Sequence, residues 1–359
     1  MVPEFDALLD QHRPVRLLKA ALASGNLPHA YLFSGPDGVG KNSAAQSLAM
    51  ALNCRGGQKK QAETTGDAGV SDTDKAVYPS APCGGCRACK KIASASHPDV
   101  YRLSPAGSYL KVDQIRELGQ RLSLKSNEAR IRVAIIEAAH TLNPEAGNTL
   151  LKVLEEPPEK TLFILLARQA SELLPTIVSR CRHIRFNPIS AESLSAHLKA
   201  HYAVPAAEAE VVARMAGGSI SRAAAMTEKG WIAHRRWLIA VLSELDAQPV
   251  NYHLAFAEAL ARDTDRLATA LEIIKSWYRD LAVYGHRPEH LINQDLSNTI
   301  AELTRKYPQK RLLAITRAIE QAARRIENNA NARLAMDQLV ISLSDKDLGK
   351  NGENHRYPV

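Results

Sequence analysis

A glycine-rich segment near the start of the chain combines residues that can hold a phosphate group. It reads Gly35, Pro36, Asp37, Gly38, Val39, Gly40 and Lys41, with Asn42 next. An apolar run precedes it and an alanine-rich run follows, which is the order of a strand, a glycine turn and a helix N-terminus. The backbone N–H groups of such a turn surround an anion, and Lys41 adds a positive charge for the terminal phosphates. The pattern predicts a nucleotide-binding site, with a glycine-rich turn that has no ligand as the alternative.

The residues expected to bind Mg²⁺ and to activate water depart from the usual pattern. A Ser or Thr after the lysine normally holds the metal through its hydroxyl, whereas Asn42 offers a neutral amide, which is a poorer ligand for a hard cation. The acid that orients Mg²⁺ through water follows a buried strand, and Glu137 stands in that position. A catalytic Glu usually comes next, but Ala138 cannot accept a proton. We therefore expect a degenerate site for ATP and Mg²⁺. For Glu137 the alternative is a strand-end carboxylate that binds no metal.

Four of the five cysteines have the spacing of a metal site. Cys83, Cys86 and Cys89 follow one another at intervals of three, and Cys54 precedes them by a long polar insertion. Four thiolates match a tetrahedral zinc site, and the glycines between Cys83 and Cys86 allow the turn in which two sulfur atoms converge. Because four thiolates leave no open position, the zinc would be structural and not catalytic. A set of free thiols is the alternative.

The composition limits the class of protein. The 359 residues contain 46 Lys and Arg and 38 Asp and Glu, and the net charge of +8 suits a polyanionic partner or ordinary surface charge equally well. No apolar run approaches the length of about 18 residues that crosses a membrane, and the first residues lack the pattern of a signal peptide. We therefore expect a cytoplasmic protein with no membrane segment, whose cysteines bind metal and do not form disulfides.

Periodicity predicts the elements that position these residues. Apolar runs predict strands at 31–33, 132–137, 161–167 and 182–186 and after the run 97–99, and helical spacing predicts helices at 14–24, 43–52, 112–124 and 144–154. Strands that alternate with helices indicate an α/β domain with a parallel sheet. His97 precedes a proline and is expected in a turn, not among the metal ligands. From 188 onward the sheet pattern gives way to helices.

These patterns predict three domains. We expect an α/β domain at 1–187 with a zinc module at 54–89 and a disordered insertion at 55–82, a small helical lid at 188–230, an all-helical domain at 231–345 and a disordered tail at 346–359. The insertion is rich in polar and small residues and poor in side chains that could pack, which is why we expect it to be disordered.

The assembled motifs resemble those of the delta prime subunits of the bacterial DNA polymerase III clamp loader, a family of AAA+ proteins. The segments that carry the resemblance are 29–41, the four cysteines, 97–99, Asn-Thr-Leu-Leu-Lys-Val-Leu-Glu-Glu-Pro-Pro at 148–158, Ser-Arg-Cys at 179–181 and the run 329–336. The Leu-Leu-Lys-x-Leu-Glu-Glu-Pro-Pro and Ser-Arg-Cys motifs are more specific than the glycine loop, which many ATPases share. The resemblance implies an AAA+ P-loop domain, a helical lid and a helical collar that forms oligomers.

The resemblance also implies partners and a role for one arginine. In this family, gamma or tau motor subunits bind ATP in a ring of five with a delta subunit, open the sliding clamp and place it on primed DNA. The delta prime subunit is the rigid member that does not drive the cycle. Its Ser-Arg-Cys arginine reaches into the ATP site of a neighbour, and in this chain that residue is Arg180. A guanidinium suits the role because its forked donors match a γ-phosphate. The alternative is an arginine paired with a local carboxylate.

Further departures from the family's motor subunits indicate that hydrolysis is lost. The polar residue that senses the γ-phosphate falls at Ala167, and Ser221 stands where the lid arginine is expected, with Arg222 one residue on. We expect the isolated chain to hydrolyse ATP slowly or not at all. Two other functions compete with this one: an autonomous AAA+ ATPase, such as a motor subunit or a branch-migration helicase, and a zinc-dependent nucleic-acid-binding module. Basic residues that could face DNA phosphates, subunit interfaces or solvent are Arg130, Arg132, Lys152, Arg182 and Arg185.

Overall fold

The computed structural model describes residues 5–56, 78–227 and 230–348. Its contacts divide the chain into two units, one formed by Met1–Leu194 with Gly217–Arg222 and the other by Ser195–Ala216 with Ala223–Val359. The first unit is built on a sheet, and the described residues of the second form helices and turns.

The sheet of the first unit has five strands that run parallel. They are β1 Ala30–Ser34, β2 Val100–Leu103, β3 Arg132–Ile136, β4 Thr161–Ala167 and β5 Arg182–Arg185. Their order is β2-β3-β4-β1-β5, and each neighbouring pair is parallel. The three central strands are buried at every position, which explains why they read as nearly continuous apolar runs. Because the strands are parallel, the residues that follow them meet at one edge of the sheet.

Helices cover both faces of this sheet. They are α1 His12–Ser24, α2 Lys41–Asn53, α3 Arg87–Ala93, α4 Val112–Ser123, α5 Pro144–Glu155 and α6 Pro175–Arg180, with 3-10 turns at Phe5–Ala7, Ala139–Thr141 and Ala170–Glu172. Successive side chains of a strand point to opposite faces. Tyr31 and Phe33 of β1 accordingly join an apolar cluster with α1, α2 and α3, whereas Leu32 joins one with α4, α5 and α6. The sheet is therefore the middle of three layers.

The rest of the chain is helical. Its helices are α7 Ala191–Tyr202, α8 Ala206–Met215, α9 Ile220–Met226, α10 Trp231–Glu244, α11 Val250–Arg262, α12 Thr264–Tyr284, α13 Ser297–Thr304, α14 Gln309–Glu327 and α15 Ala332–Ser344, with 3-10 turns at Leu245–Ala247, Pro288–His290 and Gln294–Leu296. The long helix α12 contacts α10, α11, α13 and α14, and its Trp277 and Tyr278 are buried. Burial of two large aromatic side chains makes α12 the centre of the second unit's core.

A buried polar network fixes one irregular segment of the second unit. Arg235 is 1% exposed and contacts both oxygens of Asp295, at 2.9 and 2.8 Å, and the side-chain oxygen of Asn293. Asp280, fully buried, accepts the backbone N–H groups of Ile292 and Asn293 at 3.1 and 2.6 Å. Buried charges are tolerated only when they are paired and hydrogen-bonded in this way. The network therefore ties the segment between α12 and α13 to the helices.

The structure confirms the predicted α/β fold with a parallel sheet followed by helices. The short helix α6 was not predicted, although Pro175 at its first position is a common helix start. Of the disorder predicted for 55–82 and 346–359, the parts at 57–77 and 349–359 fall outside the described residues. Within the described part of the insertion, Tyr78 is buried and its backbone N–H donates to the carbonyl oxygen of Leu22 at 3.2 Å. The division into three domains at 187 and 230 stays a prediction. Across the described ranges, no helix is both long and apolar enough to span a membrane.

Candidate functional site

Lys41 begins α2 and lies folded against the glycine loop. Its ammonium group donates to the carbonyl oxygens of Gly35 and Pro36, the latter at 2.7 Å, and lies 3.6 Å from the carboxylate of Asp37. Burial lowers the pKa of Lys41, and the charge of Asp37 opposes that shift. The positive charge is thus satisfied by groups of the loop itself. A phosphate would have to replace these contacts.

The tip of the loop lies against residues 219–221. The backbone N–H of Ile220 donates to the carbonyl oxygen of Gly38 at 2.9 Å. A Cβ atom at Gly38 would collide with the hydroxyls of Ser219 and Ser221, and the φ of +76° at this residue also favours glycine. Gly38 is therefore required for the close approach of this segment as well as for the turn.

Asn42 and Glu137 contact each other where the metal would be expected. The side-chain nitrogen of Asn42 donates to Oε1 of Glu137 at 3.1 Å, and the hydroxyl of Ser104 donates to Oε2 at 2.7 Å. Arg102 places a guanidinium 3.9 Å from the same carboxylate. In this arrangement the Asn42 amide turns an N–H toward the carboxylate, and its neutral carbonyl oxygen is a poorer ligand for Mg²⁺ than the usual hydroxyl. These residues do not fit Mg²⁺, and we derive no hydrolytic step at this site.

The four predicted cysteine ligands come together between α2 and α3. The sulfur atoms of Cys54, Cys83, Cys86 and Cys89 all lie within 4.8 Å of one another. In a tetrahedral zinc site with Zn–S bonds of about 2.3 Å, the sulfur atoms lie about 3.8 Å apart, so the group needs only a small contraction. Backbone N–H groups of the last three cysteines point at the sulfurs of the first three, at 3.4, 3.4 and 3.5 Å. Desolvation raises the pKa of Cys86, but backbone donors from Arg55 and Cys89 outweigh it and lower the pKa to about 6. The group fits a metal ion, and its four sulfurs suit zinc.

Both sides of the cysteine cluster hold the loop at 127–131, which leads into β3. From the end of α2, the side chain of Asn53 donates to the carbonyl oxygen of Ile131 at 2.9 Å. From α3, Lys91 forms an ion pair with Glu128 at 2.5 Å. The cluster therefore links the two ends of the insertion to the same loop.

Asp99 holds this loop from the turn before β2. Its carboxylate is buried and accepts the backbone N–H groups of Asn127, Glu128 and Ala129 at 2.9, 2.7 and 2.8 Å. Desolvation alone would raise the pKa of Asp99, but these donors outweigh it and lower the pKa below 3.8. His97, predicted to be a turn residue and not a ligand, lies 3.7 Å from Glu128 and outside the cysteine group. The sequence run at 97–99 thus has a local structural role.

Arg180 is the last residue of α6 and is held by its own chain. Its Nη2 lies 2.7 Å from Oε1 of Glu155, and its Nη1 donates to the carbonyl oxygen of Thr176 at 3.1 Å. The Arg180 side chain is 36% exposed and that of Glu155 is 51% exposed. The local carboxylate partner that the sequence left as an alternative is therefore present. An ion pair this exposed contributes about 0–1 kcal/mol, so it orients the guanidinium without holding it rigidly.

One of the basic residues considered for DNA contact is buried. Arg132 is 7% exposed, and its guanidinium donates to the carbonyl oxygens of Leu122, Leu124 and Glu159, the last two at 2.6 and 2.8 Å. Three acceptors satisfy its charge inside the protein. Of the surroundings that the sequence left open for Arg132 (DNA phosphates, a subunit interface or solvent), the structure shows none, because its guanidinium is engaged inside its own chain.

Two family profiles and several related sequences match most of the chain. A profile described as DNA polymerase III, delta subunit, matches residues 10–190, and one described as DNA polymerase III, delta subunit, C terminal, matches residues 229–345. DNA polymerase III subunit delta' of Bacillus subtilis is 28% identical over 93% of this chain and 96% of its own length. The delta' subunit of Pseudomonas aeruginosa is 30% identical over 87% of this chain and 90% of its own length. This chain belongs to the DNA polymerase III delta' family.

The delta' family is related to another subunit of the same polymerase. DNA polymerase III subunit tau of Bacillus subtilis is 25% identical over 94% of this chain and 61% of its own length. Membership of the delta' family confirms the resemblance drawn from the motifs. It does not test single residues, so the roles of Lys41, Asn42, Glu137 and Arg180 and the zinc ligation stay predictions.

The sequence did not indicate the contacts of three residues, two beside the glycine loop and Glu137 and one at the loop 127–131. Ser104 donates to Glu137, and Arg168, directly after β4, forms a 2.7 Å ion pair with Asp37 of the glycine loop. Asp99 stood in a motif that was recognised, but nothing in the sequence indicated which N–H groups its carboxylate accepts. For Ser104 and Arg168 the available signal was their position after a strand, because such residues share one edge of the sheet.

Proposed function

We propose that this delta' family member is a clamp-loader subunit that assists ATP hydrolysis in an adjoining subunit and performs none itself. Arg180 carries the proposal. It ends a short helix, it is partly exposed, and its two contacts leave N–H groups of the guanidinium available to a further acceptor. An arginine delivered to the γ-phosphate of a neighbour stabilises the charge that develops during phosphoryl transfer.

The chain's own nucleotide site supports the second half of the proposal. Lys41 is engaged by loop carbonyls, and the Asn42 amide donates to Glu137 where a metal would bind. Because Asn42 is a poor metal ligand and Ala138 offers no proton acceptor, an attacking water at this site would be neither positioned nor deprotonated. ATP binding at residues 35–41 would then be weak and unproductive.

The partners we propose follow from the family. Gamma or tau motor subunits and a delta subunit would complete the ring, which opens the sliding clamp and loads it onto primed DNA in the cytoplasm. Cys54, Cys83, Cys86 and Cys89 would hold a structural zinc ion in the first unit of this subunit.

The experiment that tests this function is reconstitution of the ring with Arg180→Ala. We expect ATP turnover at the adjoining motor site to fall roughly 10³-fold or more, because that is the usual contribution of such an arginine. Single-turnover hydrolysis in the assembled complex measures it, and native mass spectrometry confirms that the ring still forms.

The matched control is Arg121→Ala. Arg121 forms an ion pair with Glu117 on α4 at 2.6 Å, and at 59% and 60% exposure this pair is more exposed than that of Arg180. This variant should leave hydrolysis unchanged. Normal turnover at every site of the Arg180→Ala ring would overturn the proposal.

A further inference from the structure

The two most family-specific motifs of the sequence meet at Arg180. Glu155, from the Leu-Leu-Lys-x-Leu-Glu-Glu-Pro-Pro motif, is the last residue of α5, and Arg180, from Ser-Arg-Cys, is the last residue of α6. Their side chains are 2.7 Å apart, although 25 residues separate them in sequence. The proposed function assigns a role to the arginine and none to the glutamate.

The end of α5 fixes the position of Glu155. Glu156 closes this helix through its N–H, which donates to the carbonyl oxygen of Lys152 at 3.3 Å. Pro157 and Pro158 follow, and neither can continue the helix because proline has no N–H to donate. The carboxylate of Glu155 therefore projects from a helix end that is held in place, and not from a mobile loop.

The guanidinium of Arg180 is held from two sides without being saturated. Glu155 binds Nη2, and the carbonyl oxygen of Thr176, one turn earlier in α6, binds Nη1 at 3.1 Å. The Nε–H and the second N–H of each terminal nitrogen remain for an outside acceptor. A long arginine side chain that is oriented beforehand loses less conformational freedom when that acceptor arrives.

We infer that Glu155 is a positioning residue, which orients Arg180 for the γ-phosphate of the adjoining subunit. This inference rests on the proposed function. Glu155 touches no substrate and acts only through the arginine. If it instead competed with the phosphate for Arg180, its removal would speed the reaction, so the sign of the effect separates the two roles.

The test is Glu155→Gln in the reconstituted ring, with Glu156→Gln as the matched control. Glu156 is the exposed next residue and forms no ion pair with Arg180. We expect Glu155→Gln to lower kcat at the adjoining site roughly three- to tenfold, since the uncharged amide oxygen holds the guanidinium less firmly while the arginine remains. KM for ATP should change less than about twofold, because the substrate-binding groups are untouched. Glu156→Gln should match the wild type.

A double-mutant cycle shows whether Glu155 acts through Arg180. In the Arg180→Ala background, Glu155→Gln should have no further effect on kcat. An equal loss in both backgrounds, an increase in kcat, or an equal loss with Glu156→Gln would each overturn the inference while leaving the proposed function in place. If Arg180→Ala alone has no effect, the proposed function fails and the inference falls with it. Circular dichroism of each purified variant confirms that it is folded.

Discussion

Asn42 and Glu137 contact each other at the carboxyl ends of the strands. Asn42 donates a hydrogen bond at a position that usually provides a ligand for Mg²⁺. A serine or threonine hydroxyl would offer a lone pair to Mg²⁺, whereas the Asn42 amide donates a hydrogen to the carboxylate at 3.1 Å. At Asp99 a single carboxylate has a structural role instead, because three backbone N–H groups converge on it. At position 42 the residue type decides the chemistry, whereas at Asp99 the three converging N–H groups decide it.

Replacing Asp99 by Asn should destabilise the first unit and change its response to pH. The folded pKa of Asp99 lies below 3.8, so its stabilising contribution is complete above the unfolded value and is lost as the pH falls through the folded value. We expect the free energy of unfolding at pH 7 to fall by about 2 kcal/mol. The difference from the wild type should shrink below about pH 4. Urea unfolding at several pH values measures both effects.

The control for this prediction is Asp113→Asn. Asp113 is 85% exposed on α4 and forms only a surface pair with Arg116. Its replacement should change stability by less than about 0.5 kcal/mol at any pH. An Asp99→Asn protein that loses stability in acid as steeply as the wild type would contradict the role given to the carboxylate.

At the scale of elements, three segments distant in sequence hold the loop at 127–131. Asn53 reaches it from the end of α2, Lys91 from α3, and Asp99 from the turn before β2. The first two segments carry the cysteine group between them. The metal would therefore stabilise the start of β3 as well as the insertion.

Loss of the metal should loosen this loop. We expect the purified protein to contain about one zinc per chain, and removal by a chelator should speed amide hydrogen exchange at 127–131 roughly tenfold or more. The reason is that α3 and the end of α2 lose their common ligand, and the loop loses two of its three supports. Mass spectrometry of exchange, with metal analysis of the same sample, measures the effect.

Cys181 lies outside the group of four cysteines and provides a control for a substitution within it. Cys89→Ser should reproduce the chelator's effect, while Cys181→Ser should not, because burial raises the pKa of Cys181 to about 11 and it is not among the ligands. Unchanged exchange at 127–131 in the metal-free protein would show that Asp99 alone supports the loop.

At the scale of the whole chain, the first unit combines a complete phosphate loop with an incomplete hydrolytic site. The intact part is the loop at 35–41 with Lys41 at its end, and the altered part is Asn42 with Glu137 and Ala138. A partner arginine stands on a different element, α6, and is partly exposed. This arrangement is the basis of our proposal that the chain acts on a neighbour's nucleotide and not on its own.

The purified chain alone should hydrolyse ATP at least about 10²-fold more slowly than the assembled complex, because a bound metal normally contributes several kcal/mol to the barrier. A coupled-enzyme assay of the single chain measures this rate of hydrolysis, and the Lys41→Ala variant is the control. If the single chain turns over ATP as fast as the complex does, and Lys41→Ala abolishes this turnover, the chain is an autonomous ATPase. Equal, residual rates in both proteins support the proposed function.

The sequence by itself determined the fold class, the family motifs and the group of four cysteines that could hold a metal ion. These follow from short-range patterns. Buried parallel strands appear as apolar runs, and a glycine turn before a helix is typical of a phosphate-binding site. Cys83, Cys86 and Cys89 are close in the chain. Such patterns need no knowledge of what packs against them.

Only the tertiary structure decided which groups touch. It paired Asn42 with Glu137 and Arg180 with Glu155, and it buried Arg132. These contacts join residues far apart in sequence, and whether a charged side chain is free or satisfied depends on carbonyls and carboxylates that other elements bring to it. A sequence states that an arginine is present, but the packing of helices and strands determines what remains for it to bind.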